Sequence, residues 1–476
     1  MKFRFSRTIL IALFACAILA ASASVETPCL FAQTPSQSTP SVANIPHTIT
    51  LADAIQMAIA RNYFVRTAGN NAESSNIEVS RSEDNAWLPT ATATGQWNYT
   101  YDLNPVSART ILIAGIPVTE PPSPAGEHSL SYDASASYNL FNGGADAARI
   151  HRSEASFGSA KNTFTWTRQN IAFQVTGDYL NVLRTDELVT AADSTLAEGM
   201  AQLSLVQGQY QAGVVAIGNL YQQQAVVSQD SLGLIQARNN YQNSEATLLF
   251  DLNIPPNEYG NYTFNATGID TSTSPAARAA IDTTVPAAQL DQSVDRRPDI
   301  LAQQQAIQAS LYDIDVTRGA LLPRLDLSGG VSGSGSNQTL SNIPFDNRLD
   351  AGLSLSIPIF DGMQSRLLIQ EQEVTVENNR INLEQDVQQI RSAAAQAINN
   401  LKAADLALDA TASELTSANE SLRLASERLR VGAGTEVDVI VAEAAVETAR
   451  VNRVNAKYNW VLAQQQLAYT LGKWHY

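Results

Sequence analysis

The stretch Ser129–Gly144, SLSYDASASYNLFNGG, decides the fold. Leu130, Tyr132, Ala134, Ala136, Tyr138 and Leu140 alternate with Ser131, Asp133, Ser135, Ser137 and Asn139. Alternation of period two gives an extended strand one apolar and one polar face. The strand ends at Phe141-Asn142-Gly143-Gly144, and a long helical pattern follows at once. The unit returns downstream. Leu349, Ala351, Leu353, Leu355, Ile357 and Ile359 alternate with Asp350, Gly352, Ser354, Ser356 and Pro358, ending at Phe360-Asp361-Gly362. Phe141 and Phe360 lie 219 residues apart, so the chain is a duplication of a unit joining two-faced strands to a long helix.

Working outward, each of these strands has an earlier partner. Ala91, Ala93, Gly95, Trp97, Tyr99 and Tyr101 alternate with Thr92, Thr94, Gln96, Asn98 and Thr100. In the second copy Leu325, Leu327 and Val331 alternate with Asp326, Ser328 and Ser332. A proline-rich loop over 102–127 and a Gly/Ser/Asn loop near 333–347 are expected between the partners. Before the first strand, Thr50-Leu51-Ala52-Asp53 is a helix start with Thr50 as N-cap. That helix is expected to run from Leu51 to about Leu88, where Pro89 stops it.

After each strand pair the spacing predicts a helix of roughly 65–70 residues, on the order of 100 Å long. Val175, Val182, Val189, Leu196, Leu203 and Tyr210 recur every seven residues, and so do Leu401, Leu408, Leu415, Leu422 and Leu429. A sustained heptad implies a left-handed coiled coil. Each long helix stops at a glycine-bearing turn, residues 212–219 and 431–438, with Gly213 and Gly432 again 219 apart. Returning helices are expected at about 220–252 and 439–471. Leu220, Val227, Leu234, Tyr241 and Leu248 correspond across the repeat to Val439, Val446, Arg453, Trp460 and Leu467. Pro298 then sits where a first helical turn tolerates proline.

The N-terminus carries Lys2, Arg4 and Arg7 before the apolar run Ile9–Ala21, the pattern of a secretory signal peptide. Cleavage after Ala23 or Ala32 fits, the second better, and removes both cysteines, Cys16 and Cys29. A lipoprotein signal at Cys16 fits poorly because of Phe14. The expected plan is a signal peptide over 1–32, a flexible N-terminus over 33–49 and a first repeat over 50–254. A connector over 255–295 and a second repeat over 296–476 complete it. With 476 residues, 44% hydrophobic content and a formal net charge of −16, the chain argues against nucleic acid as a partner. No run of about 20 apolar residues provides a spanning helix. His47, His128, His151 and His475 are isolated, and no nucleophile–base pair or phosphate loop stands out. No catalytic, cofactor or metal site is expected.

Secretion together with two-faced strands bearing Trp and Tyr is the signature of an outer-membrane β-barrel. Four strands cannot close one, and open edges are not tolerated in lipid. Two copies would give eight strands around a filled interior, three would give twelve and room for a pore. The long helices, far longer than a bilayer is thick, would then project into the periplasm.

This organisation resembles the TolC family of outer membrane efflux channels over nearly the whole chain. The residues carrying the resemblance are Thr50-Leu51-Ala52-Asp53-Ala54, the Phe141-Asn142-Gly143-Gly144 and Phe360-Asp361-Gly362 strand ends, and Arg297-Pro298-Asp299-Ile300 with Leu321-Leu322-Pro323. Gly434-Thr435-Glu436-Val437-Asp438-Val439 with Ala442-Glu443-Ala444 completes the set. The resemblance implies an α+β membrane protein. It would be a homotrimer forming one 12-stranded β-barrel in outer membrane lipid, continuous with a periplasmic α-helical coiled-coil barrel. Its partners would be a periplasmic adaptor protein and an inner-membrane pump of the RND or ABC type. The function implied is a passive exit duct for small molecules such as drugs; a type I protein-secretion channel is the alternative, and a pore-less periplasmic coiled coil the remaining class.

The resemblance also implies site residues. Gly213, Val214, Val215, Ala216 and Ile217 match the turn that receives the adaptor, with Gly432, Gly434 and Thr435 on the second turn. Glu436, Asp438 and Glu443 match the acids that form rings at the periplasmic gate. The family's latch pairs a basic residue on the second turn with an aspartate on the first; here those positions hold Glu436 and Asn219. Arg428, Arg430, Tyr210 or Tyr221 are the candidates to replace it.

Overall fold

The structure is a computed structural model that describes residues 48–103, 109–113, 116–120, 126–267, 278, 293–340 and 343–472. The signal-peptide segment, its cleavage sites and both cysteines lie outside these residues, as does most of the connector. Strands in chain order are β1 (Thr48–Ile49), β2 (Thr90–Tyr101), β3 (Arg109–Ile113), β4 (Ile116–Glu120), β5 (Gly126–Asn142), β6 (Thr263–Phe264), β7 (Arg324–Asn337) and β8 (Asp346–Ser356). The helices are α1 (Leu51–Arg61), α2 (Tyr63–Trp87), α3 (Ala145–Gln211), α4 (Ile217–Asp251), α5 (Pro298–Gly319), α6 (Gln364–Arg430) and α7 (Glu436–Thr470). Two compact units emerge. A sheet unit takes in the described residues of 80–151 and 312–372, and a helical unit those of 48–79, 152–311 and 373–472.

The sheet unit is a four-stranded antiparallel sheet in the order β2-β5-β7-β8. Its register carries the two faces across all four strands. Ala93, Ala134, Val331 and Leu349 form one cross-strand row, and Tyr138, Leu327 and Leu353 another. On the opposite face lie Thr94-Asp133-Ser332-Arg348 and Thr92-Ser135-Gly330-Asp350. A bulge between Asn139 and Phe141 inserts one residue, which returns Phe141 to the apolar face against Leu325 and Leu355. Without it every side chain beyond would fall on the wrong face. Strands β2 and β8 are the two edges, and their residues are exposed throughout.

Three local expectations are corrected here. The stretch 102–127 is not loop alone: Arg109–Ile113 and Ile116–Glu120 pair as a hairpin, and the contiguous apolar residues Ile111, Leu112 and Ile113 had hidden its alternation. β7 continues to Asn337, into the region expected as loop. β8 ends at Ser356 rather than at Ile359, because its last partner is Arg324. Pro323 and Pro358 flank that pair and neither has an N–H for the ladder.

In the helical unit α3 and α6 are both 67 residues long, and α4 and α7 both 35. Their starts are 219 apart in each case, 145 to 364 and 217 to 436. Much of the heptad rows points inward: Val175, Val182, Leu248, Leu401, Leu408, Val446, Trp460 and Leu467 are all buried, whereas Tyr210 at the turn end is exposed. The first helix is broken where one helix had been expected. Asn62 leaves the helical backbone at φ −58°, ψ 136°. Its side chain accepts from Phe64 N at 2.9 Å and donates to the Asp251 carbonyl at 3.0 Å. An Asn side chain that satisfies its own backbone competes with the helix.

The end of the N-terminal segment expected to be flexible is pinned, since Thr48–Ile49 pairs in parallel with Thr263–Phe264. The buried Tyr179 hydroxyl lies 2.8 Å from Ile49 O and 2.7 Å from Asn265 O, tying both strands to α3. From the connector, the Arg278 guanidinium grips α6. Its Nε donates to Asp405 Oδ1 at 2.6 Å, and its two terminal nitrogens donate to Asp409 at 2.6 and 2.8 Å.

Candidate functional site

Two features of the described residues can do work. One is the sheet unit's pair of faces. Trp97, Tyr99, Leu349, Leu353 and Leu355 each leave half or more of their surface exposed on the apolar face. A monomeric soluble protein rarely shows such a patch; a lipid-facing wall does. The opposite face bears hydroxyls, amides and a few charges, the composition of a water-filled lumen. Trp97 and Tyr99 flank His128, with ring centroids 6.0 and 4.7 Å away, as an aromatic group at one end of the strands.

The other feature is the pair of helix turns. Gly213 and Gly432 both hold φ at +75°, and both end their helices with the same bonds. Gly213 N donates to Tyr210 O and Val214 N to Gln209 O, both at 2.9 Å. Gly432 N donates to Leu429 O at 3.0 Å and Ala433 N to Arg428 O at 2.8 Å. This double closure satisfies the last carbonyls of each helix and favours glycine at the left-handed residue. The turns display apolar side chains: Val214, Ile217, Val431 and Val437 are exposed.

The candidate gate acids occupy three different environments. Thr435 and Asp438 form a capping box at the start of α7, Thr435 N donating to Asp438 Oδ2 at 2.9 Å. That bond holds the exposed Asp438 carboxyl below its ordinary range. Glu436 is turned into the protomer, 6% exposed, where its Oε1 accepts from Gln202 Nε2 at 2.9 Å. Glu443 is half-buried, and its pKa is raised first by loss of water and then by the neighbouring charges of Glu436, Asp230 and Glu198. Asn219 lies at the start of α4, its backbone N donating to Ala216 O at 3.1 Å. Arg430 pairs with Glu427 one turn back on its own helix, at 2.9 Å, and Arg428 adds a weaker field at Asp438.

Residues absent from the sequence expectation join this region. Glu198 from α3, Asp230 from α4 and Glu443, Glu447 and Arg450 from α7 line a groove of about 340 Å³. Arg450 pairs with Glu198 at 3.1 Å. Asp230 approaches α3 where Gly199 has no side chain; a Cβ there would meet the Asp230 carboxylate. A signal was present in the sequence. Gln223, Asp230, Ala237, Ser244 and Asp251 form a second heptad row on α4, polar where a core row is apolar. Its counterpart on α7, Ala442, Ala449, Ala456, Ala463 and Thr470, is small almost throughout. The α4 row is buried all the same: Gln223, Ser244 and Asp251 are at most 6% exposed, and Ser244 and Thr185 share a hydrogen bond of 2.8 Å.

Comparison with known proteins places this geometry. The profile of the family described as "Outer membrane efflux protein" matches residues 54–253 and 290–473. The outer membrane efflux protein BepC of Brucella suis biovar 1 is 22% identical over 336 residues, 70% of each chain. The pyoverdine export outer membrane protein OpmQ of Pseudomonas putida is 28% identical over 357 residues, 72% of this chain and 71% of its own. The solved CmeC outer membrane channel of Campylobacter jejuni superposes with a TM-score of 0.70 at 17% identity, covering 89% of this chain and 85% of that one. The chain belongs to the TolC-like outer membrane efflux protein family, whose members are channels of the outer membrane that extend into the periplasm.

Proposed function

We propose that three copies of this chain close into one 12-stranded barrel that serves as the exit duct of a tripartite efflux system for small molecules. The observation that carries this is the sheet itself, which has one polar face, one apolar face and two unpaired edges. In lipid the free N–H and C=O groups of β2 and β8 need partners, and β8 of one copy can offer its edge to β2 of the next. Twelve strands leave a channel, and its wall would be the row set Thr92, Thr94, Asp133, Ser135, Ser332 and Ser354.

In this reading the two helix turns form the periplasmic tip. The exposed Val214 and Ile217 beside Gly213, with Ala216 and the half-buried Val215, present an apolar knob to the hairpin of a periplasmic adaptor. Gly432, Gly434 and Thr435 shape the second turn. The adaptor recruits an inner-membrane pump, which selects the cargo. Glu436, Asp438 and Glu443 supply the acidic character of the gate, with Asn219, Arg428 and Arg430 around them. Gly213→Trp and Val215→Asp test the docking site directly. Both variants are expected to reach the outer membrane as trimers and to lose drug export, read as intracellular accumulation of a fluorescent efflux substrate. Wild-type export by both would remove the turns from the mechanism. Unchanged drug accumulation with loss of a secreted protein would favour a protein-secretion duct instead.

A further inference from the structure

The last member of the polar heptad row, Asp251, is 5% exposed and sits at the C-terminal end of α4. Three side chains, from α3 and from the α1–α2 junction, converge on it. From α3, Gln174 Nε2 donates to its Oδ2 at 2.9 Å. From the α1–α2 junction, Asn62 Nδ2 donates to its backbone carbonyl at 3.0 Å. Also from α3, one turn beyond Gln174, the Asp178 carboxyl faces the Asp251 carboxyl at hydrogen-bonding distance. The other oxygen of Asp178, Oδ2, is buried with no partner. Gln174, the side chain that bonds the Asp251 carboxyl, is a neutral amide. Among the described residues, no lysine or arginine forms an ion pair with either acid.

Two ionised carboxylates have four acceptor oxygens and no donor between them, so they cannot hydrogen-bond to each other. One proton changes that: a protonated carboxyl donates to its ionised neighbour, and a site that strips water from both favours the singly charged pair. We propose that Asp178 and Asp251 hold one shared proton that fastens α3 to the end of α4 and to the α1–α2 junction, and that its release as pH rises loosens this contact. The arrangement has no counterpart in the second copy, where positions 219 residues on hold Ala397 and Thr470. The inference stands independently of the channel reading, because it concerns packing inside one protomer.

The electrostatics agree in sign. Burial is the largest cause raising the Asp178 carboxyl, followed by the hydrogen bond and the charge of Asp251, and it reaches about 7. The folded chain then keeps a proton that the unfolded chain has already released. Stability from this site is present at low pH and is lost as pH rises toward 7 and beyond.

The test uses the full-length protein purified in detergent, wild type against Asp178→Asn, whose amide supplies a donor at every pH. Infrared spectroscopy should show the carbonyl stretch of a buried protonated carboxylic acid at about pH 6, fading by about pH 8.5, and absent from D178N. Hydrogen exchange over residues 171–182, corrected for intrinsic base catalysis, should rise roughly tenfold across the same range in the wild type and stay flat in D178N. Identical titration of the band and identical exchange in both proteins would overturn the proposal. Asp251→Asn, which should abolish the same band, decides the matter if D178N fails to assemble.

Discussion

Single residues fix the two helix turns more firmly than the nearby charges do. Gly432 and Gly218 both face open space, yet only Gly432 holds a positive φ, at +75°. Gly432→Ala should therefore cost about 1 kcal/mol, since L-residues resist the left-handed region. Gly218→Ala, inside the first turn of α4, should be neutral or stabilise by up to about 1 kcal/mol. Melting temperatures of the two variants measure the difference directly. Among the acids of the groove, Glu443 and Asp230 both have their carboxyls raised, each chiefly by burial. The Glu443 pKa is raised by desolvation and by three nearby carboxylates, so the folded state binds its proton more tightly than the unfolded one. Stability from this group falls as pH rises through and above the ordinary glutamate range. Glu443→Gln should flatten that slope in melting curves taken from acid to neutral pH, while Glu443→Ala should also lose packing.

At the scale of elements, the strands and the long helices were legible because each is governed by a period that the sequence repeats. Two-residue alternation placed β2 nearly to the residue and β5 except for its start, which lies at Gly126, and the heptad rows predicted helices close to the 67 residues observed. What escaped notice was decided by single side chains or by partners far along the chain. Asn62 breaks the first helix through bonds to Phe64 and Asp251, and the second of these lies 189 residues away. The β3–β4 hairpin has no alternation in its first strand. The polar row of α4 shares the heptad spacing of the apolar row, and hydrophobicity alone passes it by. The turns were legible from their glycines, whereas Glu198, Asp230 and Arg450 are scattered over three helices and meet only in the fold.

The sheet's faces give an element-scale prediction. Leu353→Arg would place a charge on the apolar face and should cost about 2–4 kcal/mol near a bilayer midplane. Ser354→Arg, the next residue and on the other face, should assemble normally and reduce single-channel conductance. Folding yield in lipid vesicles, together with planar-bilayer current, separates the two. Equal damage from both would mean that the faces do not divide lipid from water.

For the whole molecule, the duplication accounts for a four-stranded sheet built from two repeats, which in the proposed trimer would be a third of the barrel. Each repeat contributes two strands, and β5 and β7 join the repeats at the centre of the sheet. The outer strands β2 and β8 are left as the edges, which the proposed assembly pairs with those of other copies. The measurement that tests this most directly is the mass of the detergent-solubilised protein, by native mass spectrometry or light scattering. Three copies in one species, with the strand signal intact in circular dichroism, is the predicted result. A monodisperse monomer that keeps its strand signal and remains stable in lipid would contradict it.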